Sequence, residues 1–211
     1  VAQNHDGRLV SGAQVNAIPA DRFNGITWIQ TYLGLAFDLD APRVEQIEIE
    51  DIAHALSNIC RYNGHCAWHY SVAQHSVYVA EIVHATDPRL ALVGLLHDAA
   101  EAYIGDWSSP LKQVFRRIAV AVLGLEHDIE RAIGERYGVD LVTRNRLIKQ
   151  ADLITLADEK AALFGPSPRP NWAASSGFAP ATPSGRLVER LQPEQAKARF
   201  LEAFERFGGK S

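Results

Sequence analysis

A histidine and an aspartate stand side by side at His97-Asp98, directly after the apolar run LALVGLL. That run must be buried, so it carries two polar side chains to the edge of a core. An unpaired carboxylate there is costly. A divalent cation is one partner that would satisfy the pair, and an ordinary hydrogen-bonded network is the other. Glu101 follows Asp98 by three residues and His97 by four, which puts all three on roughly one side of a helix. Asp106 comes next, in the turn just past Gly105. One short segment thus concentrates a His and three carboxylates. Imidazole with carboxylate suits a borderline or hard divalent ion: Mn, Fe, Co, Ni or Zn, with Mg also admissible.

The dipeptide alone decides nothing, because His-Asp also occurs at His5-Asp6 and His127-Asp128. The first lies in a polar lead-in, and the second in EHDIER, which reads as a solvated helix face. Two further polar residues sit in apolar surroundings. His75 lies within VAQHSVYVA, and Asp152 lies between Ile148 and Leu156 at helical spacing. Each alone reads as a satisfied core residue. Together with His97-Asp98 they put His, His-Asp and Asp on the inner faces of successive helical elements.

The elements that must position them are helical. Asp51 caps or opens a first helix running through Ile52, Ala55, Leu56 and Ile59. Ser71 begins a second, SVAQHSVYVAEIVHA. Pro88 fits the first turn of a third, PRLALVGLLHDAAEAYI. A fourth is expected from about Pro110 to Tyr137 with Gly138 as its stop, and a fifth from about Thr143 to Phe164. A last helix, PEQAKARFLEAFERF, spans 193–207 with an apolar face at Ala196, Phe200, Ala203, Phe204 and Phe207. Residues 1–25 read as an extended or partly disordered lead-in, and 26–49 as a short hairpin or irregular cap. Residues 165–186 carry five prolines and read as a long loop. The expected architecture is all-α: one helical domain over 26–211, a core at 49–163 and a small irregular N-terminal cap.

The chain is 211 residues long, enough for one domain with a real core. Its formal net charge is −4, which argues against a protein that tracks a nucleic-acid polymer by its phosphates. Cys60 and Cys66 match no common zinc spacing and read as two reduced thiols. No apolar run is long enough to span a bilayer, and the first twenty residues hold no signal-type apolar stretch. A cytoplasmic protein with no membrane partner is expected.

The order H…HD…D, with QHS, LLHDAAEAYIGDWSSPLK and KQAD around it, resembles the HD superfamily of metal-dependent phosphohydrolases. It is most similar to the bacterial 5′-deoxynucleotidases and related dNTP-hydrolysing enzymes. The likeness covers about Ile49 to Leu163. WIQTYLGLAFDLDAP and the proline-rich stretch lie outside it. The resemblance implies an HD-domain helical bundle with His75, His97, Asp98 and Asp152 as metal ligands. It also implies Glu101 as catalytic acid or base, with Asp106 beside it. A similarly placed arginine in the nucleotidases meets the phosphate, which points to Arg61, whose fork suits two hydrogen bonds to phosphate. An arginine facing water is the alternative. Lys112 is a second cation within reach of a phosphate, or a plain surface lysine. Tyr62 and Trp68 would stack on a base or fill the core. His54, His65 and His69 are further histidines for which ordinary polar roles are expected.

The implied activity is hydrolysis of a nucleotide phosphate ester. A dNTP triphosphohydrolase and an alarmone or cyclic-nucleotide hydrolase are the alternatives within the superfamily. A non-catalytic, metal-stabilised nucleotide-binding or interaction domain is the alternative of another class. The expected partner is a small phosphorylated molecule, and a homo-oligomer is compatible with all of this.

Overall fold

The computed structural model describes residues 27–166 and 181–210. The lead-in at 1–25 and most of the proline-rich stretch lie outside the described residues. The fold is all-α, with one hairpin among the described residues. Strands β1 (Trp28–Gln30) and β2 (Ala36–Asp38) pair antiparallel, with Ile29 opposite Phe37. Phe37 is fully buried and stacks on Tyr103 at a centroid distance of 3.7 Å, which anchors the hairpin to the helical core.

Helices α1 (Ile49–Asn58), α2 (Val72–Thr86), α3 (Ala91–Leu96) and α4 (Glu101–Ile104) follow. They are succeeded by α5 (Ser109–Ile118), α6 (Val120–Tyr137), α7 (Arg146–Leu163) and α8 (Pro193–Arg206). Helix α2 is the hub, packing against α1, α3, α7 and α8. Its Val72, Ala73, Val79 and Val83 have no exposed surface. Phe200 and Phe204 close the core from α8, each burial stabilising by about 1.5–3 kcal/mol. Among the described residues no helix is long and apolar enough to cross a membrane.

Several local expectations hold. The Ser71 side chain accepts from the Gln74 N–H at the start of α2, and Gly138 adopts the left-handed conformation that ends α6. Others need correction. Helix α1 starts at Ile49, so Asp51 lies in its first turn rather than at its cap. The buried Asp51 carboxylate instead accepts from the Leu33 N–H at 2.7 Å and ties the hairpin to α1. The expected 88–104 helix is interrupted: a 3₁₀ turn at Pro88–Leu90 precedes α3, and α3 is parted from α4. Between them the N–H groups of Ala99 and Glu101 bond back only three residues, to Leu96 and Asp98. This tighter winding falls on the His97-Asp98 pair, as mid-helix 3₁₀ turns often do at functional sites. The expected 110–137 helix also breaks, at Ala119 (φ −153°, ψ 64°), with no Gly or Pro to mark it.

Candidate metal centre

The close approach of α3 to α2 brings the first two histidines together. A Cβ on Gly94 would meet Val83 Cγ2 at 3.2 Å and the Ala80 Cα at 3.3 Å, so the helices touch where glycine removes the side chain. One turn later His97 stands beside His75 of α2, their ring centroids 5.3 Å apart. Helix α7 packs on the same face of α2 and supplies Asp152.

Ligand atoms of His75, His97 and Asp152 all lie within 4.8 Å of one another. His75 Nε2 is 3.3 Å from Asp152 Oδ1 and 3.7 Å from Asp98 Oδ2, and His97 Nε2 is 3.2 Å from Asp98 Oδ2. None of these approaches is aligned as a hydrogen bond. Both Nε2 atoms are buried without a hydrogen-bond partner among the described residues. The other nitrogen of each ring is engaged: His97 Nδ1 with the Gly94 carbonyl at 2.8 Å, His75 Nδ1 with Glu159 Oε1 at 2.7 Å. A ring donating from Nδ1 presents its Nε2 lone pair, and two such lone pairs converge with two carboxylates. His75, His97 and Asp152 offer donor types that could hold a metal ion, with Asp98 beside them.

The electrostatics agree. Burial resists ionisation of Asp98 and Asp152, yet the neighbouring histidines and cations hold both carboxyls well below the usual range. Lys149 Nζ holds Asp152 Oδ2 at 2.6 Å and leaves Oδ1 for the centre. Burial and the cost imposed by Arg61 would lower the His75 value, but Glu159 and Asp152 push it up to about 9, so without a metal the ring keeps a proton on Nε2 that a cation would have to displace.

The remaining expected residues surround a cavity of about 850 Å³ that opens onto His97, Asp98 and Asp152. Glu101 and Asp106 line it, and burial together with the Asp98 charge raises both carboxyls. One Glu101 oxygen is buried without a partner among the described residues. Arg61 is buried, with Nη1 3.6 Å from Asp98, so it is not a helix-end arginine facing water. Lys112 lines the cavity but bonds Glu126 at 2.6 Å and lies 4.0 Å from Glu101, so its charge is already engaged.

The other histidines separate from this group. His54 stacks on Tyr32, His69 meets the Ser57 carbonyl at 3.2 Å, and His65 lies in the cavity wall. His127 is exposed, and Asp128 pairs with Arg131. His5-Asp6 lies outside the described residues. Cys60 and Cys66 are free thiols, their Sγ atoms 3.6 Å apart. Tyr62 lines the cavity, whereas Trp68 packs against the core.

One residue that the sequence reading passed over is Glu159. It is fully buried and accepts from Arg61 Nε at 3.3 Å and from the Tyr62 hydroxyl, in addition to meeting His75. Its signal was available: it follows Asp152 by seven residues, two helical turns along the same face. The charged neighbours in ADEKAA disguised it as solvated.

The fold and the centre thus define a helical protein with a His/Asp group able to hold a metal ion. The chain belongs to the family of the uncharacterized protein YfdR of Escherichia coli (strain K12). The two are 37% identical over 179 residues, 85% of this chain and 94% of YfdR. An uncharacterized protein of Rhodobacter capsulatus is 35% identical over 147 residues, 65% of this chain and 74% of its own length. No family model matches the chain.

Proposed function

We propose that this chain is a metal-dependent phosphohydrolase of the HD type, acting on a small phosphorylated molecule, a nucleotide first among them. The observation that carries the reading is the convergence of two buried, unpartnered Nε2 atoms with Asp98 and Asp152, beside a buried arginine on the wall of a nucleotide-sized cavity. A divalent ion held by His75, His97, Asp98 and Asp152 would supply the positive charge that polarises a phosphoryl oxygen.

The chain's own residues do the rest. Arg61, fixed through Nε and with Nη1 3.6 Å from Asp98, turns the outer edge of its guanidinium to the cavity, where it would hold a phosphate and offset its charge. Water adds to phosphorus as the P–O bond to the leaving group breaks; Glu101, its carboxyl raised by burial and the Asp98 charge, gives the departing oxygen a proton and takes one back from the attacking water. Lys112, held by Glu126, stands 4.0 Å from Glu101 and stabilises that carboxylate once the proton has left. The cavity is a local, partly open recess, and the chain's net charge of −4 offers no broad basic surface, which suits a small ligand better than a polymer.

The test is hydrolysis of a nucleotide panel by purified protein, with Mn²⁺, Co²⁺ or chelator, and identification of the products. Free phosphate from nucleoside monophosphates supports a nucleotidase, and intact triphosphate released from dNTPs supports a triphosphohydrolase. Metal-independent binding with no turnover of any member would refute the reading in favour of a binding domain.

A further inference from the structure

We propose that Glu159 is a positioning residue that fixes the metal-facing ring of His75 and the phosphate-facing fork of Arg61 through one carboxylate; this rests on the functional reading above. Glu159 has no exposed surface, and a lone carboxylate in such a place is strongly disfavoured. Three donors offset that cost: His75 Nδ1, Arg61 Nε and the Tyr62 hydroxyl. They come from two separate elements, α2 and the 3₁₀ turn Arg61–Gly64, while Glu159 itself belongs to α7. The same helix therefore reaches the centre twice, directly through Asp152 and indirectly through Glu159.

Each contact fixes an orientation at the centre. The bond from His75 Nδ1 leaves Nε2 as the nitrogen facing Asp98 and Asp152. Without it the ring loses the bond that holds Nδ1 away from the centre and Nε2 toward it. The contact with Arg61 uses Nε, the donor on the stem side of the guanidinium, and leaves Nη1 toward Asp98 and the cavity. The turn carrying Arg61 is itself held in an uncommon backbone: Tyr62 and Asn63 are both left-handed, at φ 58° and 54°. Non-glycine residues keep that conformation only when the surroundings over-determine it. The Tyr62 hydroxyl bond to Glu159 is one such determinant.

The isosteric variant Glu159→Gln tests this. It keeps the volume and removes the charge. Thr155→Ala, on the same buried helix one turn earlier, is the packing control. Mn²⁺ affinity measured by calorimetry should fall about 10–100-fold in Glu159→Gln, the usual cost of losing an outer partner of a ligating histidine, and stay near wild type in Thr155→Ala. At saturating Mn²⁺, Glu159→Gln should still show a raised KM for p-nitrophenyl phosphate, from the loosened Arg61, together with a lower kcat. Equal Mn²⁺ affinity in Glu159→Gln and wild type would overturn the inference, as would an equal loss in both variants. A protein that hydrolyses nothing, yet loses Mn²⁺ affinity only in Glu159→Gln, would sink the functional reading and leave Glu159 as the residue that orients His75.

Discussion

Glu130→Gln should stabilise the protein in alkaline but not in acidic solution. Glu130 is buried in α6 on the cavity wall, and one of its oxygens has no partner among the described residues. Burial pushes its carboxyl up to about 7, against the partial relief given by Arg144 at 3.7 Å. An unfolded chain ionises this group near its ordinary value of 4.5, whereas the native state holds the proton until about 7. Stability is therefore lost as pH rises through that window and stays lost above it. Two and a half units correspond to roughly 3 kcal/mol, and water in the cavity screens part of this, leaving about 2 kcal/mol. Glutamine keeps the shape and cannot ionise. The stability gap between variant and wild type should widen in the variant's favour by about 2 kcal/mol from about pH 5 to about pH 8. For a chain of this size that is a melting shift of roughly 4–8 °C. Urea unfolding at both pH values, with chelator present throughout, measures it. Any fixed cost of the amide appears at both and cancels. A gap that stays constant, or widens toward wild type, would refute the account of Glu130 as an ionisable group held neutral by burial.

Asp98→Ala should abolish stoichiometric metal binding in elemental analysis, because it removes a carboxylate 3.2 Å from His97 Nε2. Metal retained at one per chain in that variant would remove Asp98 from the ligand set. Glu101→Gln should bind metal normally while turnover falls by roughly 10²-fold, the usual loss when a general acid is removed; wild-type turnover would move the role to Asp106. His127→Ala should change neither metal content nor activity, since the ring is exposed and Asp128 is committed to Arg131. Metal loss there would mean that the wrong His-Asp doublet was chosen.

The helices were legible where an apolar stripe and a capping residue coincided, as at Ser71 for α2 and Gly138 for α6. The breaks were not. At His97–Ala100 the chain keeps helical handedness and merely tightens its bonding, a change that leaves no mark on residue types. At Ala119 the chain turns between α5 and α6, which pack on each other, and no residue type marks the turn. The same contrast runs through the centre. His75, His97 and Asp152 could be read because each is a polar residue interrupting an apolar face. Lys112 looked available for a phosphate because its acceptor, Glu126, is fourteen residues away on another helix. The partner of Glu159 is farther still, 84 residues back at His75.

Glu159 also changes what a substitution at Arg61 can mean. Were Arg61 a phosphate contact and nothing more, Arg61→Ala would weaken substrate binding and leave metal content unchanged. In the structure Arg61 is buried against Glu159, so alanine would strip that carboxylate of its fixed positive charge. Breaking a buried pair from one side typically costs about 3–5 kcal/mol. Loss of activity in Arg61→Ala would then report a damaged α2–α7 junction as readily as a lost phosphate contact. Arg61→Lys keeps the charge but gives up the planar fork, so it separates the two effects. It should bind Mn²⁺ within a few-fold of wild type and raise the KM for p-nitrophenyl phosphate. If instead Mn²⁺ affinity collapses while KM at saturating metal is unchanged, Arg61 serves the architecture behind His75, and the phosphate is held by something else.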